Sequence, residues 1–176
     1  MKFTETELGG AFILDIEPIT DNRGFFARVF DPREFEAHGI APPLAQFNLS
    51  YNTYRGTLRG MHFLKPPRAE AKLVRVIRGA LLDQIIDIRP YSPTYLQHIS
   101  VELTADNRRA LYVPEGFAHG FQTLEDDTEV FYQMSEFYQP GGDTGLRYDD
   151  PALGLSWPLP VSEISEKDAA WPLMER

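Results

Sequence analysis

The chain has 176 residues, 43% of them hydrophobic, with 26 acidic against 17 basic side chains and a formal net charge of −9 at pH 7. That length fills one domain, 1–176, without requiring a second, and the acidic balance argues against general nucleic-acid binding, which draws on many phosphate-facing Lys and Arg side chains. The sequence has no cysteine, which excludes disulfides, thiolate catalysis and Cys-based metal sites; with no apolar run near the roughly 18–20 residues of a membrane span and no signal-peptide pattern, a soluble cytoplasmic protein is expected.

Residues 11–17 read as a first strand, Asp21-Asn22-Arg23-Gly24 as a turn and residues 25–30 as a second strand. Asp31-Pro32 with a stop at Gly39 predicts a short helix capped by Asp31, and His38 is then a solvated last-turn histidine. Residues 45–50 alternate, so Gln46, Asn48 and Ser50 share one face, either of a half-exposed strand or of a polar ladder against a ligand. Residues 57–63 alternate as well, and Arg59 and His62 can share a cavity only if a kink at Gly60 resets the alternation. Segments 73–77, 80–88, 97–103, 110–113 and 129–137 read as strands between Gly-, Pro- and Asn-rich turns, a spacing that indicates an all-β barrel or sandwich. The C-terminal third is expected to wrap that barrel with loops and short helices.

Pro114-x-Gly116-x-x-His119 resembles the second motif of the cupin superfamily, double-stranded β-barrels that often hold a metal on histidines and a glutamate. Here His62 stands alone where a His-x-His pair is usual, and Lys72 takes the glutamate position. An ammonium repels a cation, so no metal is expected; the alternative metal set is His62, Glu70 and His119.

A longer ordered series carries a closer resemblance: Asp21-x-Arg23-Gly24-Phe25-Phe26, Gln46-x-Asn48-x-Ser50, Leu58-Arg59-Gly60-Met61-His62, Lys72-Leu73-Val74-Arg75-Val76, Ser92-Pro93-Thr94, Pro114 to Phe121, and Ser165-x-Lys167-Asp168. From about residue 12 to Pro172 it resembles the dTDP-4-dehydrorhamnose 3,5-epimerases and related nucleotide-sugar epimerases, a metal-free cupin family. The resemblance implies an all-β cupin jelly-roll barrel with a few short peripheral helices, no cofactor, a nucleoside-diphosphate-sugar substrate and a homodimer with exchanged N-terminal strands. The family's chemistry removes a proton beside a ketone, because the resulting anion delocalises onto the ketone oxygen, and returns a proton to the opposite face.

By that resemblance His62 is the base, Asp168 holds its imidazole, Tyr132 is the acid, and Lys72 lies near the ketone oxygen, where its charge stabilises the enolate. Arg23 and Arg59 match diphosphate contacts, Phe26 and Tyr138 match positions near the nucleotide, Gln46 and Asn48 match polar contacts to it, and Asp143 joins the substrate-binding set. His119 bonds a sugar oxygen or supports the base; from the bare sequence it equally caps the tight turn before it, and Phe26 and Tyr138 read as core aromatics. Arg23 and Phe26 are expected to act on the neighbouring subunit's ligand.

Arg28 stands where the family usually has a glutamate near the nucleotide base, and the reversal implies altered base recognition. Leu64 and Glu70 replace common glutamines, and Tyr148 a common tryptophan. The alternatives are a single-centre epimerase or keto-sugar isomerase on a CDP, UDP or GDP sugar, a metal-dependent cupin, or a non-catalytic sugar-binding cupin.

Overall fold

The computed structural model describes residues 1–174. In chain order its elements are β1 (Lys2–Glu5), β2 (Phe12–Asp15), β3 (Ile19–Asp21), β4 (Gly24–Phe26), α1 (Pro32–Ala37), β5 (Gln46–Asn52), β6 (Leu58–Leu64), β7 (Lys72–Arg78), β8 (Ala80–Asp87), β9 (His98–Thr104), β10 (Ala110–Val113), β11 (Phe117–Thr123), β12 (Thr128–Met134), β13 (Asp143–Gly145) and α2 (Glu166–Ala169). A six-stranded sheet in the order β1-β2-β10-β7-β12-β5 faces a five-stranded sheet in the order β13-β6-β11-β8-β9, and β3 and β4 form a separate hairpin. The expected all-β architecture is the one observed.

Period-two alternation builds the space between the sheets. Val74, Val76, Leu111, Val113 and Val130 from the first sheet meet Leu81, Ile85, Val101, Leu103, Phe117 and Phe121 from the second. The opposite faces are covered separately. Leu14, Leu73, Ala110 and Tyr112 bury Phe35 of α1, and Met61, Ile86 and Ala118 are covered by Leu153 and neighbours from the C-terminal segment. With both faces covered, every residue of β11 is buried.

The helix forms as its sequence dictates: Asp31 caps it through a bond from the Arg33 amide, and Pro32 occupies the first turn. His38 is exposed as expected, but it is not simply solvated, because its ring stacks on Phe3 at 4.0 Å and its Nδ1 lies 2.8 Å from the Glu34 carbonyl. The strand expected over 25–30 stops at Phe26. The Val29 carbonyl accepts from Arg75 and Phe30 turns in against Phe35, 5.0 Å between ring centres, so neither continues a ladder. The strand expected to run to 137 ends at Met134, where Ser135 closes a reciprocal pair with Ala71: its N–H donates to the Ala71 carbonyl and its Oγ accepts the Ala71 N–H. The short polar β1 and the glycine- and histidine-bearing β11 were not expected as strands.

The kink required at Gly60 is present. Arg59 and His62 line one cavity, while Met61 and Phe63 face the opposite side into the C-terminal cluster. Gly60 has φ +132°, and a Cβ placed there would lie 2.5 Å from the Gly120 Cα on the paired strand β11. No L side chain fits this backbone or this gap. Gly60→Ala is therefore expected to lower unfolding stability by roughly 2 kcal/mol or more, measured by urea titration.

Candidate active site

Three adjoining spaces meet at His62. One of about 160 Å³ between the sheets is lined by Ser50, Arg59, His62, Lys72, His119 and Tyr132 among others. One of about 240 Å³ toward the barrel mouth adds Asn48, Glu70, Tyr138 and Asp143. The third, about 440 Å³, opens outward past Arg59, Asp143, Ser165, Lys167 and Asp168. The alternation of β5, β7 and β12 places Asn48, Lys72 and Tyr132 on inward faces, with Tyr132 opposite both Asn48 and Val74.

His62 Nε2 lies 2.7 Å from Asp168 Oδ1, across 106 residues of chain. The carboxylate is fixed by helix α2, whose N-cap Ser165 accepts the Asp168 N–H at 3.0 Å, and its Oδ2 accepts the Gly60 N–H at 3.2 Å. Burial pushes the Asp168 carboxyl up, but the hydrogen bond and charge of His62 and the Gly60 N–H outweigh it and hold it below the usual carboxylate range. An ionised carboxylate only accepts, so Nε2 of the neutral ring carries the proton and Nδ1 keeps its lone pair.

Burial raises the Tyr132 phenol above its ordinary value; the Arg59 charge opposes this and the Glu70 charge adds to it. The phenol is thus a protonated donor at neutral pH. Lys72 Nζ lies 3.0 Å from Glu70 Oε1. Asp143 is ion-paired with Lys167, and that hydrogen bond is the main cause of its lowered carboxyl pKa, with burial opposing. The cavity therefore holds an oriented imidazole, a phenol and an ammonium on its walls. These are the parts proton abstraction beside a carbonyl requires.

His119 does not cap the turn before it. It is the cross-strand partner of His62, and its Nε2 lies 2.5 Å from Oδ1 of the wholly buried Asp83. Two histidine–aspartate pairs thus stand side by side, their histidines on β6 and β11 and their carboxylates on α2 and β8. The alternative metal set does not assemble: Glu70 is taken up by Lys72, and among the described residues no group of three or more His, Cys, Asp or Glu could hold an ion.

A sequence model of the family described as dTDP-4-dehydrorhamnose 3,5-epimerase matches residues 5–176. The chain belongs to the dTDP-4-dehydrorhamnose 3,5-epimerase family. The family member of that name from Methanothermobacter thermautotrophicus is 43% identical, over 99% of this chain and 95% of that protein. The crystal structure of the Bacillus anthracis epimerase with TDP and pyrophosphate bound superposes with a TM-score of 0.94 at 40% identity, covering 98% of this chain and 99% of that one. A Legionella pneumophila epimerase in complex with dTDP-4-keto-L-rhamnose matches with a TM-score of 0.90 at 34% identity, covering 98% and 92%. The fold is accordingly the cupin-like barrel of these epimerases.

The family resemblance named His62, Lys72, His119, Tyr132 and Asp168 from positions far apart in the chain, and all of them converge. Arg59 joins them, its Nε donating to Asn52 Oδ1 at 2.7 Å. Gln46 is occupied in holding the loop after β12, where its Oε1 accepts the Tyr138 N–H, and Asn48 Nδ2 donates to Met134 Sδ at 3.1 Å. Phe26 and Tyr138 are not core aromatics; each is 67% exposed. Arg23, Phe26 and Arg28 lie on or just after the exposed β3–β4 hairpin, where Arg23 bonds Asp21 and Arg28 pairs with Asp31 at 3.7 Å.

Sequence reasoning missed Asp83, the pairing of Glu70 and the role of Lys167 beside Asp143. Asp83 had a signal: an acidic side chain inside the apolar run Leu81-Leu82-Asp83-Gln84-Ile85-Ile86 must be buried and needs a partner.

Asp168→Asn should keep the fold but reduce turnover by roughly 100-fold or more, because an amide no longer fixes the tautomer of His62. Asp168 is depressed in the folded state, so its stabilisation is present above the unfolded value of about 3.9 and is lost as pH falls through the folded value. Acid titration of Tm should accordingly be shallower in Asp168→Asn than in the parent.

Proposed function

We propose that this chain is a metal-independent epimerase of a nucleoside-diphosphate 4-keto-6-deoxyhexose, converting dTDP-4-dehydro-6-deoxyglucose to dTDP-4-dehydrorhamnose by inversion at C3 and C5. The observation that carries this reading is the His62–Asp168 pair facing Tyr132 and Lys72 across one cavity. At each carbon His62 Nδ1 takes the proton beside the ketone, the Lys72 ammonium stabilises the enolate oxygen, and Tyr132 returns a proton from the opposite face; proton exchange with water restores the imidazole and the phenol between the two inversions. Asp168 stabilises the imidazolium while it exists. Arg59, on the rim of the outward space, presents a guanidinium fork suited to the oxygens of a diphosphate. The thymidine ligands of the Bacillus and Legionella relatives support the choice of nucleotide.

The protein acts in this reading as a cytoplasmic homodimer. Strand β5 turns its polar residues inward and leaves Phe47, Leu49 and Tyr51 exposed, and the hairpin region adds Ile19, Phe25, Phe26 and Val29. Exposed apolar surface so concentrated is characteristic of an interface. Exchange of the hairpin carries Arg23, Phe26 and Arg28 to the partner's nucleotide. Sedimentation should give a dimer at micromolar concentration, and Leu49→Asp should give a folded monomer with activity lost.

Proton NMR in deuterated water with dTDP-4-keto-6-deoxyglucose tests the reaction. Deuterium is expected at C3 and C5, at a rate unchanged by chelator. Entry at one carbon only would make the protein a single-centre epimerase, entry only with a CDP, UDP or GDP analogue would assign Arg28 a change of base, and no entry with any of them would overturn the reading.

A further inference from the structure

The Lys72–Glu70 pair is not a saturated structural salt bridge. Both side chains are about nine-tenths buried, 11% and 8% exposed, yet Glu70 Oε2 is buried without a hydrogen-bond partner, and only Oε1 meets the ammonium, at 3.0 Å. An ammonium carries three donors, so this single contact leaves others for the cavity that Lys72 lines with His62 and Tyr132. The backbone beneath the pair is clamped. Ala71 is tied in both directions to Ser135 and packs with Leu73 on the outer face, which turns Glu70 and Lys72 together toward the inside. Glu70 is thus a fixed anchor beside a side chain with a long, flexible stem.

We propose that Glu70 is a positioning residue, which holds the Lys72 ammonium against the cavity wall so that its remaining donors face the oxygen where negative charge develops. A stabiliser held in place before the reaction costs no reorganisation during it. Because only one carboxylate oxygen is engaged, Glu70 orients the ammonium without sequestering it. The inference rests on the epimerase reading above.

The test follows deuterium exchange, with KM and Tm, in the parent, Glu70→Ala, Glu70→Gln, Lys72→Met and the double variant Glu70→Ala/Lys72→Met. Glu70→Ala should lower kcat roughly tenfold with KM within about twofold, and Glu70→Gln, whose amide oxygen still accepts, should recover most of that loss. In the Lys72→Met background, loss of Glu70 should have no further effect on the residual rate. Should Glu70→Ala not fold, the double variant lacks the unpaired ammonium and its comparison with Lys72→Met alone decides. Glu70→Ala turning over like the parent, or losses that add in the double variant, would overturn the proposal while leaving the epimerase reading intact. A parent protein that exchanges no deuterium overturns both.

Discussion

The close crossing of β6 and β11 is the constraint on which the site depends. At Gly60 and Gly120 the two backbones approach so nearly that a Cβ on Gly120 would lie 2.8 Å from the Arg59 carbonyl and 2.6 Å from Met61 Sδ. The left-handed φ of Gly60 resets the side-chain alternation, which turns Arg59 and His62 to the same cavity and Met61 to the opposite face. The same kink presents the Gly60 N–H to Asp168, so the backbone geometry that aims the base also helps fix the carboxylate that orients it. Without it, a strict strand would send the arginine and the histidine to different faces.

Around this crossing, the barrel carries more buried charge than an apolar core tolerates unpaired, and each group has a counterpart. His62 meets Asp168, His119 meets Asp83 and Lys72 meets Glu70. These pairs are not saturated: Asp83 Oδ2 and Glu70 Oε2 are buried without partners. Incomplete polar networks of this sort lower stability compared with an apolar core, and a cavity wall is where that cost is offset by chemistry. At the end of β8 the opposite holds. Asp87 has its carboxylate bound by Arg89, Ser92 and Thr94, and these bonds overcome burial to hold its carboxyl far below the ordinary range, so Ser92-Pro93-Thr94 is a cradle for a structural anion.

How much of this was legible in the sequence differs by element. The Asp31–Pro32 helix start, the alternation of β5 and the runs of β7 to β10 are local patterns, set by capping and by period two, and they appear where expected. The ends of β4 and β12 were not legible, because a distant Arg75 and a reciprocal Ala71–Ser135 pair terminate them. Strand β11 was hidden because its glycines and histidine break the apolar pattern while packing on both faces keeps every residue buried.

The sequence by itself determined the all-β class, the family through its ordered motifs, and the chemical inventory of imidazole, phenol, ammonium and carboxylate without thiol. Local pattern suffices for the class and residue chemistry for the inventory, while the family rests on the resemblance of the ordered motifs. The family resemblance implied that Asp168 holds His62, and the structure shows that contact across 106 residues; only the tertiary structure decided that Asp83 rather than a turn holds His119, that Glu70 is bound to Lys72, and that Arg23, Phe26 and Arg28 stand outside the barrel of their own chain. Pairings of that kind come from strand order and register, which are set by packing of distant segments and leave no trace in the spacing of residues along the chain.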